Sequence, residues 1–206
     1  MSVILIEPHY LGSLEYFSLL VQYEKICFEI NDSFPKQTFR NRAYFLTSNK
    51  VQPLIIPVKY NNGDLTREVK VDYSQRWMKD HWGAFYSSYG KAPFFEYFGD
   101  DLKNIWDKEI PDLLDLNIEL MKLIFKILQI DFNHSFTTDF VPNIKNGDMD
   151  FRGIVNPKKS FSNRKIYNPH PYRQLFGDTF VPNLSIVDLI MNEGPNAAHI
   201  LSKSKS

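Results

Sequence analysis

Two histidines, three arginines and two tyrosines are the residues of this chain whose types and settings could do chemistry. His9 and Tyr10 stand in "IEPHYLGSLEYF", residues 6–17, between a short apolar run and a helical pattern. A loop that enters a helix N-terminus presents free backbone N–H groups and the positive end of a dipole, so it is a ready place for an anion. There His9 could donate to a phosphate and Tyr10 offer a stacking face. The competing reading is a histidine ring that merely satisfies a nearby carbonyl. Arg40 and Arg42 flank Asn41 in "RNR". If that segment is extended they share one face, and two planar guanidiniums on one face suit a diphosphate or a carboxylate. A solvated strand edge, where charge discourages aggregation, explains them equally well.

His81 lies in "SQRWMKDHWGAFYSSYGK", where Met78, Trp82, Phe85 and Tyr89 fall on one helical face. One residue from Trp82, it is turned about 100° from that stripe, to the boundary of the apolar face. In a cleft it would be the natural general base near neutral pH. The pair of His9 and His81 gains meaning only if the fold unites them. Other chemistries lack their residues. Cys27 sits between Ile26 and Phe28 with no neighbouring base, which reads as an inert thiol. HExxH and CxxC are absent, so no metal site is expected, and GxGxxG, P-loop and GxSxG are absent too. No cofactor can be named.

These residues need elements to hold them. "SVILIE" reads as a buried strand and Ser13 as the cap of a helix carrying Leu14, Phe17, Leu20 and Val21. "KICFEI" is a second strand, while "RAYFLTS" and "PLIIPVKY" form a strand pair across "NKVQ". "LTREVKVDYS" alternates like another strand after the turn "NNGD". A helix starts at Trp77 and stops at Gly90; the aromatic stretch "PFFEYFGDD" precedes a helix near 101–108; Asp112 opens the strongest helix, through "DLLDLNIELMKLIFKILQI". Residues 131–168 are polar, turn-rich and aperiodic: a linker or a functional loop. Residues 169–201 regain order as C-terminal helices, with Ser185 and Asp188 as a capping box, and "SKSKS" as a frayed tail. The expectation is α/β, or α+β: one domain over 1–206, with an early strand–helix–strand unit, a mixed sheet flanked by helices and a loosely Rossmann-like plan.

Bulk composition narrows the partners. The chain has 206 residues, 43% of them apolar, with Lys plus Arg and Asp plus Glu both at 24. Zero net charge removes the basic excess that general nucleic-acid binding needs. The N-terminus lacks a basic n-region, no apolar run approaches a membrane span, and one cysteine fits a reducing compartment, so a cytoplasmic protein is expected. Nothing here sets its oligomeric state.

The order of the blocks "EPHYLGSLEYF", "RNR", "VDYSQRW", "SSYGKAPFFEYF", "DFRGIVNPKK" and "FVPNLSIVDLIMNEGP" resembles the WbqC-like family of bacteria, from residue 4 to about 200. That resemblance implies a link with surface-polysaccharide (O-antigen) gene clusters and modification of an amino sugar, with acyl or aminoacyl (glycyl) transfer as the reaction. A nucleotide-linked sugar and an activated acyl donor would then be the partners. It also implies that the recurring polar positions include His9, Tyr10, Asn41, Arg42, His81, Tyr89, Asp150, Arg152, Asn183, Asp188 and Asn192. The site expected on both grounds has His9 or His81 as base, and Tyr10, Arg40, Asn41, Arg42, Tyr89 and Arg152 on the ligand. Two departures stand out: Glu7-Pro8 where members often carry Gln-Pro, and Gly12 where they often carry Pro. The block "DFRGIVNPKK" favours a lid or site loop within 131–168: Asp150 and Arg152 could salt-bridge to the body, or Arg152 with Lys158 and Lys159 could close over phosphates. The first turn also loosely resembles that of nucleotidyltransferase-type folds, without their second histidine. Nucleotidyl transfer, and non-catalytic binding of a nucleotide or sugar, are the alternatives.

Overall fold

The computed structural model describes residues 3–142 and 149–205. Val3–Ile6 forms β1, an apolar run buried in the sheet interior. Ser13 then caps α1, Leu14–Leu20, by accepting the Tyr16 N–H at 3.4 Å. Lys25–Phe28 is β2. Arg42–Leu46 (β3) and Val51–Ile55 (β4) pair antiparallel as a hairpin. Pro57 ends that hairpin's second arm, and only Val58–Lys59 (β5) resumes pairing, with Lys70–Val71 (β6).

The long alternating strand expected over "LTREVKVDYS" is therefore mostly absent. Thr66–Glu68 make a 3-10 turn, because the Thr66 and Arg67 N–H groups are captured by the carbonyls of Asp32 and Ile30. Helix α2 spans Trp77–Tyr89. Helix α3 spans Phe95–Asp107, so the aromatic stretch before 101 is its first turns rather than a separate piece. Helix α4, Leu113–Leu128, buries a wide apolar stripe.

Two short strands lie inside the segment whose pattern gave no element: His134–Phe136 (β7) and Met149–Asp150 (β8). Residues 143–148 of that segment lie outside the described residues. Helices α5, Ile186–Glu193, and α6, Ala197–Lys203, close the chain. Asp188 does not complete a capping box, since its carboxylate turns to Tyr172 and Gln174 while the Ser185 N–H donates to the Tyr44 carbonyl. Nor is the tail frayed through Lys205: the Ser204 carbonyl accepts from Asn168 N–H at 2.8 Å. Between α5 and α6, Gly194 has φ +53° and faces Phe94, whose ring would lie 2.4 Å from any added Cβ. Only glycine satisfies both demands there.

The principal sheet is parallel, in the order β7-β2-β1-β8. By order of appearance its strands run 3-2-1-4, one half of a doubly wound sheet plus the strand across its switch point. The antiparallel pairs, β3-β4 and β5-β6, stand apart from it. The protein is thus α/β. Helix α1 is buried along its whole length, and the apolar core runs continuously from β1 and α1 into α4 and α5. No described helix is long and apolar enough to cross a membrane.

Candidate functional site

Each strand of the parallel sheet hands over to a polar residue at its carboxyl end. Glu7 follows β1, Glu29 follows β2, Thr137 follows β7, and Arg152 lies two residues beyond β8. Because the strands are parallel, these side chains gather at one end of the sheet. Glu29 is their hub: it accepts from Thr137 Oγ1 at 2.8 Å, from the Asn31 N–H at 2.9 Å and from Arg152 Nη1 at 2.9 Å. Arg152 also grips Asp150 through Nε and Nη2, at 3.0 and 2.6 Å, and donates to the Val141 carbonyl at 2.6 Å. Just beyond, the Gly153 N–H donates to Glu7 Oε2 at 3.0 Å, which fastens β8 to β1 at their ends.

Over this end lies a cleft of about 620 Å³, lined among others by Glu7, Asp32, Arg40, Phe140, Arg152 and Lys158. Its floor is built around Arg40, whose side chain is 4% exposed. Asn117 of α4 donates to the Arg40 carbonyl at 2.8 Å, and Arg40 Nη2 donates to Asp32 Oδ2 at 2.5 Å. Arg40 Nη1 makes no hydrogen bond among the described residues; Glu7 Oε1 is 4.0 Å away. Thr66 Oγ1 donates to Asp32 Oδ1 at 2.6 Å, so the 3-10 turn that replaced a strand serves to hold a cleft carboxylate.

Charge states follow from these contacts. Burial opposes ionisation of Glu7, but the His9 ring 3.5 Å away, the charge of Arg40 and the Gly153 N–H outweigh it and hold its carboxyl at about 2. Burial pushes Asp32 up from an ordinary aspartate's value, against the opposing pull of Arg40 and Thr66. Asp150 is pushed down by its hydrogen bonds from Arg152.

The expected lid is pinned at both ends. Arg152 and Gly153 hold its start. At its end Arg164 pairs with Glu15 through both oxygens, at 2.6 and 2.5 Å, and donates to the Lys159 carbonyl at 2.9 Å. Lys158 and Lys159 ride exposed on this strap and line the cleft, and among the described residues neither makes an ion pair.

The residues singled out in the sequence divide between this cleft and the core. Arg40 and Arg152 line the cleft. His9 is buried behind it, with Nε2 3.5 Å from Glu7 Oε1 and its ring stacked on Tyr16 at 4.1 Å between centroids. Burial lowers the His9 pKa, against the opposing pull of Glu7. Tyr10 and His81 are joined instead: the Tyr10 hydroxyl lies 2.9 Å from His81 Nδ1, both buried, and burial drops His81 to about 4. No contact joins His9 to His81; the one serves the sheet end, the other packs against Trp77 and Trp106. Asn41 Nδ2 donates to the Ile56 carbonyl at 2.8 Å and so clamps the hairpin, whose first residue is Arg42. Tyr89 is buried near Asp188, a group lifted by its own burial.

The anion place expected at the N-terminus of α1 is filled by the protein. The Leu14 N–H donates to the Leu184 carbonyl at 2.9 Å and the Glu15 N–H to Asn183 Oδ1 at 2.8 Å. Sequence reasoning missed Asp32, Glu29 and Phe140 as members of the site. Glu7 was visible only as a departure from the family pattern. Among the described residues no three His, Cys, Asp or Glu side chains are placed to hold a metal ion.

The profile of the WbqC-like protein family matches residues 7–170 and 158–200, a span that holds every residue of the cleft. The chain belongs to the WbqC-like family. It is also similar to an uncharacterized protein of Mycobacterium tuberculosis, Rv1507c, with 24% identity covering 97% of this chain and 96% of that one. No solved structure matches it. In this WbqC-like protein the cleft, rather than the first helix turn, is where Glu7, Arg40 and the block "DFRGIVNPKK" meet.

Proposed function

We propose that this cleft takes a nucleotide-linked amino sugar and that the protein transfers an acyl or aminoacyl (glycyl) group onto the sugar's amine. The observation that carries this reading is the cleft's position. It opens at the carboxyl ends of a parallel sheet, between β1 and β8, where the strand order reverses. That crevice is where open α/β sheets hold nucleotide-type ligands. Membership of the WbqC-like family supports the surface-polysaccharide direction.

In this reading Lys158 and Lys159 meet the phosphates as point charges, the part lysine plays well. The amine must lose a proton to complete its attack on the acyl carbonyl. Asp32 is placed on the cleft wall to take that proton, and burial has made it a better base than a free aspartate. As the N–C bond forms, Arg40 Nη1, which makes no hydrogen bond among the described residues, faces the oxygen that gains charge. The bond from the carbonyl carbon to the donor's leaving group then breaks, and the proton follows the leaving group. His9 acts at one remove, through Glu7.

Nucleotidyl transfer loses support because the amides expected to cradle its phosphate are spent on Leu184 and Asn183. Non-catalytic binding gains support from one fact: both histidines are buried. Incubation with UDP-linked amino sugars and acetyl-CoA or an activated glycine, read by mass spectrometry, tests the transfer. An acylated sugar from the wild type but not from Asp32→Asn is expected. Tight sugar-nucleotide binding without turnover of any donor would leave only the binding reading.

A further inference from the structure

We infer that Phe140 is the base platform of the cleft, on which the planar base of a nucleoside phosphate stacks while its phosphate meets Lys158 and Lys159. This rests on the nucleotide reading of the same cleft and adds how the ligand is oriented in it. Phe140 lines the cleft, yet the residue is 54% exposed. It is not a loose surface ring. The Arg152 guanidinium lies 5.4 Å from its centroid, in cation–π contact. That guanidinium is itself immobilised by Glu29, Asp150 and the Val141 carbonyl. The backbone next to Phe140 is held a second time, by the Val141 N–H donating to Glu29 Oε2 at 3.3 Å.

The ring is thus braced by a fixed cation and more than half exposed at the cleft. A preorganised aromatic surface beside two exposed lysines fits a ligand that is flat at one end and anionic at the other. Stacking tolerates any base, so the class is nucleoside phosphates in general, and the phosphate half alone should not sense Phe140.

Calorimetric titration of the full chain with UMP, AMP and ribose 5-phosphate tests this. Phe140→Ala is expected to weaken UMP and AMP at least about fivefold and to leave ribose 5-phosphate unchanged. Phe140→Trp should restore nucleotide affinity. Lys158→Ala/Lys159→Ala should weaken all three ligands. Phe140→Ala that binds UMP and AMP as the wild type does, while the lysine variant fails, would overturn the platform and leave the cleft reading standing. No binding of any of the three to the wild type would overturn both.

Discussion

Arg164 and Glu15, 149 residues apart in the chain, meet in a two-pronged pair at 2.6 and 2.5 Å, with Glu15 wholly buried in α1. Asn183 also reaches that carboxylate, with Nδ2 at 3.4 Å. An acid in the first turn of a helix is a familiar dipole partner. Here it does more, because it holds down the far end of the strap that carries Lys158 and Lys159 over the cleft.

Removing one member of this pair should therefore be costly. Arg164→Ala strands a buried carboxylate, and the expected loss is about 3–5 kcal/mol in urea unfolding. The double variant Glu15→Gln/Arg164→Met, which removes both charges, should lose much less. A loss under about 1 kcal/mol for Arg164→Ala would mean that the strap is held by its other contacts.

Glu7 should dominate the acid limb of stability. Its carboxyl is held at about 2 in the folded protein against an ordinary 4.5. A depressed carboxylate contributes stability that is complete above the unfolded value and is lost as pH falls through the folded one, here between about 4.5 and 2. The amount is on the order of 3 kcal/mol. Glu7→Gln should flatten that part of a stability–pH curve measured by denaturant titration. The slope remaining below pH 6.5 should belong to His81, held at about 4, and to His9, since both buried rings resist the proton that the unfolded chain accepts. An unchanged acid limb in Glu7→Gln would assign the effect elsewhere.

Tyr10→Phe tests the other buried histidine pair. It removes the hydroxyl 2.9 Å from His81 Nδ1 and should cost about 1–3 kcal/mol, because a buried imidazole nitrogen loses its partner. Ligand affinity in the cleft should not change, since neither residue lines it. Weakened nucleotide binding in Tyr10→Phe would return Tyr10 to the ligand-binding role expected from the sequence.

How much of this was legible beforehand follows from the range of the interactions. The unit β1-α1-β2 is written locally: an apolar run, a serine cap, a 3.6-residue period. β7 and β8 have three and two residues, and a polar "HSF" or "MD" carries no alternation to read. They are strands because the edges of β2 and β1 recruit them. Arg40 could be picked out as a cation, but not its carboxylate partner. Asp32 belongs to the site through Thr66, 34 residues on, and Glu29 through Arg152, 123 residues on. His9 shows the opposite failure. The loop position was right, yet the ring is buried against Tyr16, and it is Glu7, two residues earlier, that lines the cleft.

The lysines should matter for ligand and not for fold. Both are exposed, so Lys158→Ala/Lys159→Ala should change unfolding free energy by less than about 0.5 kcal/mol. Its affinity for a UDP-linked sugar should fall at least tenfold, and the gap from the wild type should narrow as salt is raised, since screening weakens exposed charge. Wild-type affinity in the variant would move the phosphates away from the strap.

Asp32→Asn bears on catalysis itself. Asparagine keeps the shape and an oxygen for Thr66 Oγ1, but it cannot accept the amine's proton. Turnover should fall about 10²–10⁴-fold, the usual contribution of a positioned base, while sugar-nucleotide affinity stays within about threefold. Burial raises the Asp32 pKa, so the wild-type rate should decline as pH falls toward a value above that of an ordinary aspartate, and this limb should vanish in the variant. Loss of the Arg40 partner could by itself disturb the floor of the cleft, which is why affinity and pH profile are needed beside the rate. A purely structural change would weaken binding and leave the limb in place. Full activity in Asp32→Asn would shift the search for the base to Glu7, the other carboxylate on that floor, although at about 2 it is the weaker base of the two.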